Sequence, residues 1–357
     1  MKALVLSGGA GTRLRPITHT VAKQLVPVGN RPVLFHVLDA VAAAGITQTG
    51  IVVGDTRAQI QEAVGDGSRF GLEVGYLWQR EPRGLADAVR VAQDFLGDDD
   101  FVMYLGDNIV FGGIGEFVER FRARRPAARV LLARVEHPQA FGVAEIAPDG
   151  RLTGLQEKPQ RPRSDLAVVG VYAFSPLVHK AIAELEPSAR GELEITDALQ
   201  WLIDHGQRTE GDILTSYWKD AGNVPDILEA NRRMLRTLQA REARGAQEAV
   251  DSTLCGHVRV EPGARIVGST VVGPAVIGAG ATVTNCRIGP YTSVAEGCRI
   301  TDSWVRDSII MPRASITGVH SVESSLIGQD AEIAHAPRRP GAHRLVLGGR
   351  SRVEIAS

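Results

Sequence analysis

Leu4-Val5-Leu6-Ser7-Gly8-Gly9-Ala10-Gly11-Thr12-Arg13-Leu14-Arg15-Pro16 lies at the start of the chain, an apolar run that breaks into a glycine-rich loop carrying an arginine. A strand feeding such a loop is the entry to an α/β unit. Glycines let backbone N–H groups close around a phosphate, because no Cβ blocks the approach. Ala22-Lys23-Gln24-Leu25-Val26-Pro27 comes next, so a guanidinium and an ammonium are at hand as countercharge. This is not a Walker loop, since Arg13-Leu14 stand where Gly-Lys-Ser/Thr is needed. Nor is it a dinucleotide fingerprint, since Leu14 holds the place of the third glycine. On these residues alone a phosphate cradle and a plain strand-to-helix turn both fit.

Working outward, apolar runs at Ala3–Leu6, Ile51–Val53, Val74–Trp78, Val102–Leu105 and Val130–Ala133 read as strands. Helical patterns lie between them at Val33–Ala44, Arg57–Val64, Ala86–Phe95 and Ile114–Arg124. Val- and Leu-rich strands with interposed helices predict a largely parallel sheet covered on both faces. Phe141–Ile146 and Val168–Phe174 read as further strands, added antiparallel, and Pro176–Leu185 and Ile195–His205 as amphipathic helices. Asp226 to Gln247 shifts to Glu, Arg, Ala and Leu, the composition of a helix and linker.

Beyond Val250 the texture changes. Apolar residues recur at Val260, Ile266, Val271, Ile277, Val283, Ile288, Val294, Ile300 and Val305, in steps of six and five, and continue at Ile310, Ile316, Val322, Ile327 and Ile333. This is an imperfect hexapeptide repeat, the mark of a parallel β-helix whose stacked coils fill a prism with Ile and Val. An arginine-bearing tail runs from Ala336 to Ser357 and reads as a solvated or interface segment.

A chain of 357 residues exceeds one ordinary core, so two domains are expected. A net charge of −1 excludes a general nucleic-acid or membrane-surface binder, and no apolar run approaches membrane-spanning length. The short apolar start reads as a strand and not as a signal peptide. Cys255, Cys286 and Cys298 show no metal-ligand spacing, which suggests a reduced, cytoplasmic protein with three buried thiols. Lysine occurs five times (Lys2, Lys23, Lys158, Lys180 and Lys219) among 40 cationic side chains. Where arginine is the habit, a retained lysine suggests a place for a compact ammonium.

Asp107 comes just after the run Val102–Leu105, at the carboxyl end of a strand, where open parallel sheets bind ligands. Asp220 sits in Tyr217-Trp218-Lys219-Asp220-Ala221-Gly222. Both are hard oxygen donors of the kind that suit Mg²⁺ with bound phosphates. The plain alternatives are a turn for Asp107 and a helix N-cap for Asp220. Glu157-Lys158-Pro159 reads as a loop in which Lys158 can hold a second phosphate and Glu157 accept sugar hydroxyls; a solvated charge pair is the alternative. Gln24 and Gln79 offer amides for a nucleobase edge, or are surface residues.

Together these motifs, with Gly84-Leu85-Ala86, Phe141-Gly142-Val143 and Arg190-Gly191-Glu192-Leu193-Glu194-Ile195-Thr196, resemble the nucleotidyltransferase family that makes nucleoside-diphosphate sugars. Within it the chain looks most like the glucose-1-phosphate thymidylyltransferases in their longer form. The resemblance implies a Rossmann-like, mixed but mostly parallel sheet over residues 1–240, a linker at 241–250, a left-handed β-helix at 251–336 and a tail at 337–357. It implies that Gly8, Gly11, Thr12 and Arg13 cradle the triphosphate of dTTP and that Lys23 contacts phosphate. Gln24, Gln79 and Gly84 would read thymine. Gly142, Glu157 and Val168 would hold glucose, with Lys158 on its phosphate, and Asp107 and Asp220 would bind Mg²⁺. By the same resemblance Arg13, Lys23 and Lys158 would form the catalytic set.

Two positions depart from the family pattern. Asp87 stands where relatives often carry Gln or His, which alters the pocket near the base or simply favours a helix dipole. Ala221 stands where they often have Thr, which removes a hydroxyl behind Asp220.

The implied reaction is in-line attack by a phosphate oxygen of glucose 1-phosphate on the α-phosphorus of dTTP, with pyrophosphate leaving. Other readings are UTP or another hexose phosphate, a catalytically silent homologue, and a β-helix acyltransferase using His257 or His320. The repeat shows no loop insertion for the last, and an oligomerisation or regulatory role for the β-helix is preferred, in a homo-oligomer.

Overall fold

The computed structural model describes residues 1–237 and 249–335. Most of the expected linker and the tail from 336 lie outside the described residues. In chain order the strands of the first part are β1 (Lys2–Ser7), β2 (Pro27–Val28), β3 (Arg31–Pro32), β4 (Gln48–Val53), β5 (Glu73–Trp78), β6 (Phe101–Leu105), β7 (Asn108–Val110), β8 (Ala128–Arg134), β9 (Gly142–Ile146), β10 (Leu152–Glu157), β11 (Leu166–Phe174), β12 (Thr209–Ile213) and β13 (Trp218–Asp220). The helices are α1 (Val33–Ala43), α2 (Arg57–Val64), α3 (Leu85–Val91), α4 (Gln93–Leu96), α5 (Gly115–Arg124), α6 (Leu177–Ala183), α7 (Ile195–Asp204) and α8 (Val224–Thr237). Contacts divide the chain into two units: one holds Met1–Ala10, Ala22–Leu25 and Val33–Asp220, the other Gly11–Val21, Val26–Pro32 and the chain from Ala221 onward.

The first unit is an open sheet in the order β10-β9-β11-β6-β1-β4-β5, with β8 on β11 and β12 beyond it. β6, β1, β4 and β5 run parallel, and β12 is parallel to β8. β11 is antiparallel to β6, β8 and β9, which makes the sheet mixed. Alternation along β1 feeds two cores. Leu4 and Leu6 pack with Ala86 and Val89 of α3, Val178 of α6 and Leu199 of α7. Ala3 and Val5 pack with Leu34, Val37 and Val41 of α1 and Phe121 of α5. Burial on both faces is why these strands carry unbroken apolar runs.

Three differences from the sequence reading have local causes. The helix expected over Ala86–Phe95 is two helices, because the Ala92 N–H is shared between the carbonyls of Ala88 and Val89 and leaves the helical path. Glu157 ends β10 and is not a loop residue. Asp220 ends β13 and does not cap the next helix. Asn223 takes that part for α8, its Oδ1 accepting from the Asp226 N–H at 3.0 Å.

In the second unit, three parallel sheets run through the chain from Ala249 to Ala334, the arrangement of a left-handed β-helix. Coil upon coil, Ile266 pairs with Val283, Val283 with Ile300, Ile300 with Ile316 and Ile316 with Ile333. The five-residue steps after Val305 and Val322 fall at the next corner round, whereas those after Ile266, Val283 and Ile300 share one corner of successive coils. That corner is tight. Asp251, Gly268, Asn285, Asp302 and Gly318 hold it with φ between +47° and +67°, a region that Gly, Asn and Asp tolerate best. The next residue in successive coils is Ser252, Ser269, Cys286 and Ser303, each bonding back to the carbonyl two residues earlier. Cys286 is therefore a buried stand-in for a corner serine. Cys298 is also buried, but Cys255 is exposed, contrary to the expectation of three buried thiols. Among the described coils every connection is four residues or shorter, which leaves no inserted loop of the kind an acyltransferase would use.

Helix α8 and the β2–β3 hairpin belong to this unit. Fully buried Asn231 joins them to the coils: its Oδ1 accepts from Gly29 N–H at 2.9 Å and from Ser293 Oγ at 2.7 Å, and its Nδ2 donates to Tyr291 O at 3.2 Å. Arg232 adds a bidentate pair with Asp307.

Candidate active site

In the first unit the parallel strands end side by side, and their carboxyl ends lead into polar residues or glycine: Gly8 and Gly9 after β1, Gly54 after β4, Gln79 after β5, and Gly106-Asp107 after β6. Two of these glycines are closely approached. A side chain on Gly9 would begin 2.9 Å from Cε of Lys23, and one on Gly106 would begin 2.9 Å from the Leu6 carbonyl oxygen. Lys23 sits in a single 3-10 turn, Lys23–Leu25, anchored by Ala22 N–H donating to Gln59 Oε1 of α2 at 2.7 Å. Its ammonium pairs with Asp107 Oδ2, and Asn108 Nδ2 donates to the other carboxylate oxygen at 3.0 Å. Burial alone would raise the Asp107 carboxyl. The adjoining ammonium and these hydrogen bonds outweigh it and hold the carboxyl below its ordinary value.

Asp220 arrives from the far end of the unit. β13 pairs antiparallel with β7, placing Asp220 opposite Asn108, one residue from Asp107. Two aspartates 113 positions apart thus meet at one strand pair, Asp107 just before β7 and Asp220 at the end of β13. Trp218, on the same strand, donates from Nε1 to Asn108 Oδ1 at 2.7 Å and meets the Phe141 ring edge-on at 5.6 Å.

Phe141 leads to the second cluster. Gly142 of β9 lies opposite Glu157 of β10, and a side chain on Gly142 would begin 3.3 Å from Glu157 Oε2 and 3.5 Å from Val168 Cγ2. Gly142, Glu157 and Val168 therefore share one spot. Lys158 is next in the chain, with φ +40°, its N–H held by the Phe141 carbonyl at 3.0 Å and its ammonium 3.5 Å from Glu157 Oε1. Glu157 also accepts from Arg190 Nη1 at 3.2 Å and Thr196 Oγ1 at 3.3 Å. Burial, then the charge of Glu157, pushes the Asp197 carboxyl and the Tyr172 phenol up.

Gln79 Nε2 donates to Asp87 Oδ2 at 2.8 Å and to the Gly84 carbonyl at 3.3 Å, which brings Gln79, Gly84 and Asp87 together. Gln24 is 1% exposed, and its Oε1 has no hydrogen-bond partner among the described residues. Gly11, Thr12 and Arg13 fall in the second unit; there Thr12–Leu14 form a 3-10 turn entered through Gly11 at φ +60°, and Thr18 Oγ1 donates to the Gly11 carbonyl at 2.8 Å. Ala221 is fully buried. Asn108, Trp218, Arg190 and Thr196 carried no assigned role in the sequence. Tyr217-Trp218-Lys219-Asp220 shows no strand periodicity, and the pairing with β7 that gives Trp218 its role is tertiary.

Among the described residues no group of three or more His, Cys, Asp or Glu is arranged for a metal, and no helix is long and apolar enough to cross a membrane.

A polar, cation-bearing strand edge of this kind suits chemistry on phosphates. The family model for nucleotidyl transferases matches residues 2–237. The chain belongs to that family and is an enzyme of the nucleotidyltransferase class. At full length it is 57% identical to the glucose-1-phosphate thymidylyltransferase of Streptomyces griseus and 54% identical to that of Streptomyces antibioticus, each alignment covering the whole of both chains. A solved structure assigned as a glucose-1-phosphate thymidylyltransferase from Bacillus anthracis, in complex with sucrose, matches with a TM-score of 0.63 at 37% identity. It covers 68% of this chain and 98% of that one.

Proposed function

We propose that this protein is a glucose-1-phosphate thymidylyltransferase, converting dTTP and glucose 1-phosphate to dTDP-glucose and pyrophosphate. One observation carries the reading: Trp218 bridges the Lys23–Asp107–Asn108 cluster, suited to a nucleotide triphosphate, and the Gly142–Glu157–Val168 cluster, suited to a sugar. The site therefore has two halves, as a two-substrate transfer needs. The full-length Streptomyces relatives support the choice of substrates.

In this reading Gly8, Gly11, Thr12 and Arg13 receive the triphosphate, with Lys23 beside it. Gln79, Gly84 and Gln24 meet the thymine, and Glu157 accepts sugar hydroxyls while Gly142 leaves space and Val168 packs the ring. Lys158 takes the sugar phosphate. That phosphate is already ionised, so no base is needed: its oxygen forms a bond to the α-phosphorus as the bond to the β-phosphate oxygen breaks. The chain's own contribution is alignment and countercharge from Arg13, Lys23 and Lys158. Asp107 and Asp220, carried close by the β7–β13 pairing, would hold Mg²⁺, which takes oxygen ligands and completes its shell with water and substrate phosphate, with Asp107 exchanging its contact to Lys23 for the ion. When bound it would offset charge on the phosphates.

We read residues 1–240 as catalytic and the coils of 251–336 as serving assembly of a cytoplasmic homo-oligomer. Pyrophosphate release from dTTP and glucose 1-phosphate with Mg²⁺ tests the activity. Arg13→Ala is expected to lower kcat/KM by roughly 100-fold. No release by the intact protein, or an undiminished rate in the variant, refutes the reading. UTP belongs in the assay, since a Gln79 acceptor serves uracil as well as thymine.

A further inference from the structure

Asp87 departs from the residues expected at its position, and the structure gives it a definite contact. It is 4% exposed, at the third residue of α3, and one carboxylate oxygen is held by Arg90. The other accepts from Gln79 Nε2 at 2.8 Å, while the second hydrogen of that amide nitrogen faces the Gly84 carbonyl at 3.3 Å. Neither partner can donate. A carboxylate and a peptide carbonyl are acceptors alone, so the nitrogen end of the Gln79 amide must face them, whichever way the amide might otherwise turn. Its Oε1 then points the opposite way, 3.7 Å from where a side chain on Gly8 would begin, at the loop after β1.

Both anchors are fixed. Gly84 has φ +103° with no room for a Cβ against the Leu193 backbone, and Leu193 N–H donates to Arg83 O at 2.8 Å. Arg90 ties Asp87 from the solvent side.

We infer that Asp87 is a positioning residue that sets nucleobase specificity by locking Gln79 as a hydrogen-bond acceptor. A pyrimidine with an N–H at ring position 3, such as thymine or uracil, satisfies that oxygen. Cytosine presents a lone pair there, so two acceptors face each other and a desolvated polar atom stays unpaired. Asp87 never touches the base; it acts through Gln79. Replacing it by Asn supplies a donor, and Gln79 is then free to turn its nitrogen outward, toward cytosine.

The inference rests on the thymidylyltransferase reading for the place of the base. Its test is equilibrium binding of dTTP and dCTP, which share their sugar and triphosphate, measured by calorimetry on the full chain. Turnover by the wild type is measured separately, so a failure of the assigned reaction is distinguished from a failure of this inference. The wild type is expected to favour dTTP by roughly 100-fold. In Asp87→Asn that preference falls at least about tenfold, through weaker dTTP and tighter dCTP binding. A role confined to stabilising α3 would weaken both nucleotides alike and leave their ratio unmoved. No preference in the wild type, or a preference that survives in Asp87→Asn, overturns the inference. Should that variant fail to fold, Asp87→Ala removes the same carboxylate and leaves Gln79 Nε2 only the longer contact to the Gly84 carbonyl at 3.3 Å. A fall of at least about threefold in the ratio supports the inference, and an unchanged ratio overturns it.

Discussion

Lys23→Met removes the ammonium that faces Asp107 while keeping most of the side-chain volume. The two side chains are 17% and 12% exposed, so the carboxylate left behind is poorly hydrated. The Asn108 amide at 3.0 Å is then the side-chain donor that stays with it. Breaking a buried pair from one side costs about 3–5 kcal/mol, and the residual exposure here argues for the lower end, about 3 kcal/mol. For a unit of this size that is a fall of roughly 6–12 °C in Tm. The pH dependence separates this cause from lost packing. In the wild type the Asp107 carboxyl is held below its ordinary value. Its stabilisation is therefore full above the unfolded-state value and lost as pH falls through the lowered folded value. In the variant burial acts almost alone and raises the folded value above the unfolded one. The destabilisation is then full at neutral pH and relieved as pH falls through that raised value. Urea denaturation from neutral pH to about pH 4.5 should show the two proteins converging, and adding Asp107→Asn should restore most of the loss at neutral pH. A variant within about 0.5 kcal/mol of wild type at neutral pH, or a gap that does not narrow on acidification, would refute the reasoning.

Gly9→Ala should slow pyrophosphate release at least roughly tenfold while changing unfolding stability by less than about 1 kcal/mol, because the new methyl meets the mobile end of Lys23 and not backbone. Steady-state kinetics beside denaturation curves checks both halves. Of the three thiols, exposed Cys255 should react with a thiol reagent in the native protein at about pH 8. Burial raises Cys286 and pushes Cys298 to about 11, so both should react once denaturant is added; more than one equivalent from the native protein contradicts this.

The parallel half of the sheet was legible because strands buried on both faces leave unbroken Val and Leu runs, as in β1 and β6. The coils were legible because one inward Ile or Val per side repeats along the chain. β10 has no such signature: Leu152-Thr153-Gly154-Leu155-Gln156-Glu157 contains a glycine at a register shift and two polar residues at its end. β7 and β13 are three residues each, too short for any period to show, although they bring Asp107 and Asp220 together. The identities of Lys23, Asp107, Glu157 and Asp220 could be read from the sequence, but their partners could not. Asn108, Trp218, Thr196 and Arg190 reach them through pairings of strands and turns far apart in the chain. The same holds for Gly170, at φ +41° where β11 changes neighbours, which lies against Leu105 and Asn108.

The grouping of Gly11–Val21, β2, β3 and α8 with the coils bears on how the protein can be dissected. Ile17, four residues after Arg13, has its Cδ1 3.3 Å from where a side chain on Gly328 would begin, and Asn231 joins hairpin, helix and coils in one buried node. Cutting the chain near residue 240 would strip the loop that bears Arg13 of the surface it rests on and bare the polar node of α8. Loss of turnover in such a fragment would say nothing of assembly or feedback by the coils. Single substitutions on their outward faces, which leave this seam closed, are the sounder dissection.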